Sequence, residues 1–205
     1  MKKSVLFLLL IISGGLLLSS FQENENLYGY SIGDEATDFK LKNVDGTMVS
    51  LSNYKEAKGF IVIFTCNTCP YAVASEDRII ALDQEFKEKG FPVIAINPNN
   101  PEVQPADTFQ KMQEKAKEKK FTFPYLYDES HSLYKTYGAA KTPHVYLLQK
   151  EQGKYRVKYI GAIDDNVRNA NAVKERFLAN AVNELLQGKE VSVKETKAIG
   201  CSVKV

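Results

Sequence analysis

Residues 60–64 read Phe-Ile-Val-Ile-Phe, opened by Gly59. A strand with one wet face alternates apolar and polar side chains. An unbroken apolar run has no wet face and fits a central strand covered on both sides, the setting of parallel pairing. Pro92-Val93-Ile94-Ala95-Ile96 is a second such run, and between the two Ala72, Ile79, Leu82 and Phe86 recur at helical spacing up to Gly90. Strand, helix, strand is a βαβ unit, which commits the chain to an α/β sheet.

The flanks extend that sheet. Asp38-Phe39-Lys40-Leu41 and Met48-Val49-Ser50-Leu51 are joined through Asp45-Gly46, a hairpin signal because Asp-Gly accepts the positive φ of a tight turn. Tyr125-Leu126-Tyr127 reads as a short strand, and residues 130–137 as a short helix closed by Gly138. His144-Val145-Tyr146-Leu147-Leu148 and residues 155–160 form a second hairpin about Gln152-Gly153, and a last helix carries Val173, Phe177, Ala181 and Leu185 before Gly188. Residues 97–123 read as an insertion. In it Asp107 and Gln110 make a capping-box pattern, and Phe109, Met112 and Ala116 give one apolar stripe on an otherwise charged surface helix. The expectation is one α/β domain with a mixed sheet over residues 32–188, then an unassigned tail at 189–205 that carries Cys201.

The start of the chain has its own pattern. Lys2 and Lys3 precede an apolar run over residues 5–18, and small Ser19 and Ser20 follow. That order is the one of a secretory signal peptide at residues 1–20, with an uncleaved membrane anchor as the other reading. A polar lead-in at 21–31 connects it to the domain. The segment takes only Lys2 and Lys3 with it and leaves 25 charges of each sign. A balanced chain carries no electrostatic footprint for nucleic acid, and a membrane enters only if the first segment stays attached.

There are three cysteines, Cys66, Cys69 and Cys201, far fewer than a disulfide-stapled secreted scaffold uses. A bridge between Cys66 and Cys69 would close so small a loop that it adds little through chain entropy, so the pair in Phe64-Thr65-Cys66-Asn67-Thr68-Cys69-Pro70 is better suited to chemistry than to stapling. Phe64 ends a strand, and Pro70 sits where a first helical turn tolerates it. The unpaired N–H groups and dipole of the helix start favour negative charge, so the expectation is a lowered pKa at Cys66 and an attacking thiolate there. Cys69 shares the phase of the buried stripe through Ala72 and Ile79, which suits a sheltered resolving thiol.

With these residues in place, the chain resembles the thioredoxin-like redoxins of the alkyl hydroperoxide reductase and thiol-specific antioxidant superfamily, in their exported form with an N-terminal hairpin. The likeness spans residues 32–186 and rests on FTCNTCPY, the two apolar strands, and KTPHVYLL followed by YIGAID. It implies a thioredoxin-like three-layer α/β/α fold with a mixed central sheet and an N-terminal β-hairpin extension. It further implies a cis-proline at Pro143 facing the cysteines, with the backbone of Thr142 holding a partner's extended chain, and Gly161-Ala162 bordering the same groove. The function implied is an exported, periplasmic thiol–disulfide oxidoreductase that needs no cofactor. Its partners are the thiols and disulfides of cell-envelope proteins, together with a redox partner that recycles the CxxC. Two departures stand out. The buried aspartate that thioredoxins carry six residues before the first cysteine is Phe60 here, with Glu76 as a substitute worth testing, and Asn67-Thr68 fills the redox-tuning pair. Glu76 and Cys201 are therefore auxiliary candidates.

Two other functions compete. A peroxiredoxin-like thiol peroxidase uses a Pro-x-x-x-Thr-x-x-Cys loop, but the matching positions are Gly59 and Ile63 before Cys66, and Val62 and Cys66 before Cys69. A copper- or zinc-binding metallochaperone of the same fold would draw ligands from Cys66, Cys69, His144 and Cys201. The expectation from these residues is a site without metal.

Overall fold

The computed structural model describes residues 29–205. The expected signal segment and most of the lead-in lie outside the described residues. The elements are β1 (Glu35–Ala36), β2 (Lys40–Asn43), β3 (Met48–Ser50), β4 (Gly59–Phe64), α1 (Pro70–Val73), α2 (Glu76–Phe86), β5 (Val93–Asn97), α3 (Phe109–Lys119), β6 (Tyr125–Tyr127), α4 (Leu133–Tyr137), β7 (Lys141–Thr142), β8 (His144–Glu151), β9 (Lys154–Gly161), α5 (Phe177–Leu186) and β10 (Cys201–Ser202).

The main sheet runs β1-β9-β8-β4-β5-β6-β2-β3, and β10 pairs with β7 apart from it. β4 lies parallel to β5 and antiparallel to β8, so the sheet is mixed. All six residues of β4 are buried, and their alternation splits them between two cores. Ile61 and Ile63 pack with Ile79, Leu82 and Phe86 of α2 and Leu178 and Val182 of α5. Phe60, Val62 and Phe64 pack on the other side with Tyr137, Tyr146 and Leu51. Helices and loops thus cover the sheet from both sides, the three-layer thioredoxin-like arrangement the resemblance implies. The β2–β3 hairpin forms as expected, with Gly46 at φ 89° in its turn, a value that glycine adopts without a Cβ clash.

Local structure departs from expectation in three places. The helical run from Ala72 to Phe86 breaks into α1 and α2 around Ala74 and Ser75. There Ser75 Oγ donates to the Tyr71 carbonyl at 2.8 Å and Arg78 donates to the Ala74 carbonyl at 3.0 Å, side-chain bonds of the kind that compete with the helix ladder. The last helix starts at Phe177, leaving Val173 outside it. Asp165 accepts the Lys174 N–H at 3.0 Å, and Arg78 donates to the carbonyls of Asn166 and Val167, which holds that stretch as a loop. In the insertion, Thr108 and not Asp107 caps α3, accepting from the Lys111 N–H.

Candidate active site

Cys66 follows β4 in the turn, and Cys69 is the residue from which α1 departs, with Pro70 in its first turn. Both are 5% exposed. Across from them the Thr142–Pro143 peptide is cis, and Thr142 is fully buried. Thr142 touches both sulfurs: its Oγ1 lies 3.3 Å from Cys66 Sγ, and its carbonyl oxygen 3.1 Å from Cys69 Sγ. The chain tail reaches the same point. β10 pairs antiparallel with β7, Cys201 opposite Thr142, and the Cys201 N–H donates to Cys69 Sγ at 3.3 Å. Residues from four separate parts of the chain line a cleft of about 160 Å³ here, among them Cys66, Cys69, Asn99, Thr142 and Cys201.

The donors around the two sulfurs are unequal. Cys69 accepts from the Cys66 thiol, the Cys201 thiol and the N–H groups of Ala72 and Cys201, and these, the Cys66 bond foremost, lower it to about 4 in spite of burial. The bond to Cys69, then burial, then the negative charge of Asp107 push the Cys66 thiol up, against the Thr142 hydroxyl and the Cys69 N–H. Two sulfurs joined this way ionise as a pair, with the first charge resting on Cys69. This corrects the expectation of a low pKa at Cys66. The dipole argument counted the helix start and had no view of the bond between the two sulfurs, nor of the donors the tail adds.

A scaffold beneath the CxxC loop escaped the sequence. Asp107 is fully buried and accepts the Asn67 N–H and the Asn99 Nδ2, each at 2.7 Å. Asn67 also donates to the Ala106 carbonyl at 2.9 Å and accepts from the Tyr125 hydroxyl at 3.0 Å, while Gln104 donates to Thr68 Oγ1 at 2.7 Å. The insertion is therefore the cradle of the loop. Asp107→Ala strands the buried Asn67 N–H. Each lost bond to a charged acceptor costs about 1.5–3 kcal/mol, so urea unfolding should show a loss of about 3 kcal/mol. Because the negative charge of Asp107 raises the Cys66 pKa, the same variant should also move the second ionisation of the pair, that of Cys66, to lower pH, read by thiolate absorbance at alkaline pH.

Glu76 does not join the sulfurs. It lies buried on α2, 2.9 Å from Lys115 and 3.2 Å from Lys119 of α3, where it ties the insertion helix to the domain. His144, largely buried and with its ring 5.0 Å from that of Tyr146, is pushed down to about 4 by burial. Among the described residues no group of three or more His, Cys, Asp or Glu side chains has an arrangement that could hold a metal ion. Gly161 and Ala162 lie against the tail, where Thr196 Oγ1 accepts the Ala162 N–H at 3.0 Å.

Comparisons with known proteins agree with this architecture. The AhpC/TSA family model matches residues 32–170. A thiol-disulfide oxidoreductase, ResA, of Halalkalibacterium halodurans is 25% identical over 167 residues, 82% of this chain and 89% of that one. An uncharacterized conserved protein from Geobacillus kaustophilus superposes with a TM-score of 0.79 at 34% identity, covering 85% of this chain and 92% of the other. A hypothetical protein from Sinorhizobium meliloti does so with 0.79 at 32%, covering 86% and 95%. With the family model spanning most of the chain and the fold and paired cysteines in accord with it, the chain is a thioredoxin-like redoxin and belongs to the AhpC/TSA family.

Proposed function

We propose that this chain is an exported thiol–disulfide oxidoreductase that exchanges disulfides with cysteines of envelope proteins through Cys66 and Cys69, in one domain spanning residues 32–188. The observation that carries the reading is the shared contact with Thr142: its hydroxyl on one sulfur and its carbonyl on the other, beside the cis peptide to Pro143. The relationship to ResA, an oxidoreductase by name, supports the same chemistry, and the basic, then apolar, start of the sequence supports export.

The geometry supports a definite order of steps. In the reduced pair the proton of Cys66 passes along the sulfur–sulfur hydrogen bond to Cys69, whose S–H then points at the Thr142 carbonyl, while the Thr142 hydroxyl donates to the new Cys66 thiolate. Cys66 attacks one sulfur of a partner's disulfide, and the partner's second sulfur leaves as a thiolate. Cys69 then gives up its proton and attacks Cys66 Sγ, closing the Cys66–Cys69 disulfide and releasing the partner's first sulfur. The partner is reduced by two electrons and the pair oxidised by two. Run backwards, the same steps oxidise a partner.

Trapping tests the order. Cys69→Ser leaves Cys66 without its resolving thiol, so mixed disulfides with protein partners should accumulate and survive acid quenching on non-reducing gels. Cys66→Ser should trap none. Equal trapping by both variants overturns the division of labour.

A further inference from the structure

The tail from residue 194 onward is built into the site. The Lys194 carbonyl accepts the Ile160 N–H and the Ile160 carbonyl accepts the Thr196 N–H, each at 3.0 Å. At its other end the Lys204 N–H donates to Asn99 Oδ1 at 2.9 Å, and the Lys204 carbonyl accepts the Asn100 N–H at 2.7 Å. Between these anchors β10 runs along Thr142, with Lys141 Nζ 3.1 Å from Ser202 Oγ. The approach is close enough that a Cβ on Gly200 would stand 2.2 Å from the Thr142 carbonyl oxygen, so the chain needs a glycine beside Cys201. Anchored on both sides, Cys201 brings its thiol into hydrogen bond with Cys69 and its own N–H onto the same sulfur. It is the least buried of the three cysteines.

We infer that Cys201 is a third redox-active cysteine of this site, resolving the CxxC disulfide into a Cys69–Cys201 disulfide. The step rests on the exchange reading above, which supplies the Cys66–Cys69 disulfide. Cys201 loses its proton to water and attacks Cys69 Sγ. The Cys69–Cys201 bond forms, the Cys66–Cys69 bond breaks, and Cys66 leaves as a thiolate ready for protonation. The exchange conserves the number of disulfides and needs no further oxidant. Burial first, then the bond to Cys69 and the charge of Cys69, push the Cys201 thiol up to about 11 in the reduced site. Once Cys69 is bridged to Cys66 it carries no charge, so the last two restraints lift at the moment Cys201 has to ionise. The product holds the oxidising equivalents on the tail side and returns Cys66 to its free form.

Disulfide mapping of the full chain tests this. The reduced protein is treated with oxidised glutathione, quenched with acid, alkylated with N-ethylmaleimide and digested, in the wild type and in Cys66→Ser. Peptides joined through Cys69 and Cys201 are expected in the wild type, with Cys66 alkylated in those molecules. In Cys66→Ser the internal Cys69–Cys201 bridge should exceed the glutathione adduct by at least about tenfold at millimolar glutathione, since groups held in contact act at effective concentrations above the millimolar range of flexible linkers. Circular dichroism of the variant checks that it folds. If a folded Cys66→Ser protein carries only glutathione adducts, and the wild type bridges only Cys66 to Cys69 with Cys201 alkylated, the inference fails while the exchange reading stands. If the wild type forms no bridge at all, both fail.

Discussion

Cys66→Ser should abolish catalysed disulfide exchange, with turnover of insulin or another disulfide substrate falling on the order of a thousandfold or more, the scale on which removing an enzyme's nucleophile acts. A serine hydroxyl is not ionised near neutral pH and forms no sulfur–sulfur bond. The remaining pair, Cys69 and Cys201, closes slowly under millimolar oxidised glutathione but does not sustain turnover. Cys69 is the more strongly ionised sulfur at rest, held at about 4, but its charge is engaged by four donors and the strand carrying Cys201 lies over it. Low pKa and reactivity are separate properties here, because nucleophilicity falls as a thiolate is stabilised. A Cys66→Ser protein that keeps a tenth of wild-type turnover would move the attack to Cys69 and overturn the proposed order.

Phe64→Ala should be the most destabilising single core change near the site, costing about 3–5 kcal/mol in denaturant unfolding. Phe64 is fully buried at the end of β4, and its ring sits 5.3 Å from that of Tyr137 and 5.9 Å from that of Tyr146, edge-on to the latter. Tyr137 in turn meets Tyr30 and Phe39, so the cavity opens in the middle of an aromatic cluster that can collapse only if several rings move. Cys66 is two residues further on, and the variant should lose exchange activity at denaturant concentrations where the wild type is still folded. A loss below 1 kcal/mol, on the order of a conservative swap, would mean the cluster repacks around the gap.

What the sequence disclosed follows the range of the interactions. β4 and β5 were legible because burial on both faces is written into consecutive residues, and the β2–β3 hairpin because Asp45-Gly46 is a local device. The pairing of cysteines at a strand-to-helix turn was legible for the same reason. Asp107 was misread because a carboxylate ahead of a helix looks like a cap from sequence, whereas Thr108 takes that task and Asp107 turns inward to Asn67, 40 residues away. The tail was opaque because no local periodicity reports a two-residue strand laid against residues 141–142. The misplaced charge on the pair comes first from the bond that the Cys66 thiol donates to Cys69, and the donors from Cys201 add to it through that contact. Residue patterns describe neighbours along the chain, and this site is completed by residues that are neighbours only in space.

The cradle under Asn67 and Thr68 limits how this redoxin can be retuned. Exchanging the two residues between the cysteines is the obvious way to shift a CxxC potential, because in an open loop they are free to vary. In this protein the Asn67 backbone, both ends of its amide and the Thr68 hydroxyl are already committed to Asp107, Ala106, Tyr125 and Gln104. A new dipeptide grafted between the sulfurs would therefore lose the side-chain bonds that fasten the loop to the insertion and to Tyr125, so retuning the pair at these two positions costs stability as well.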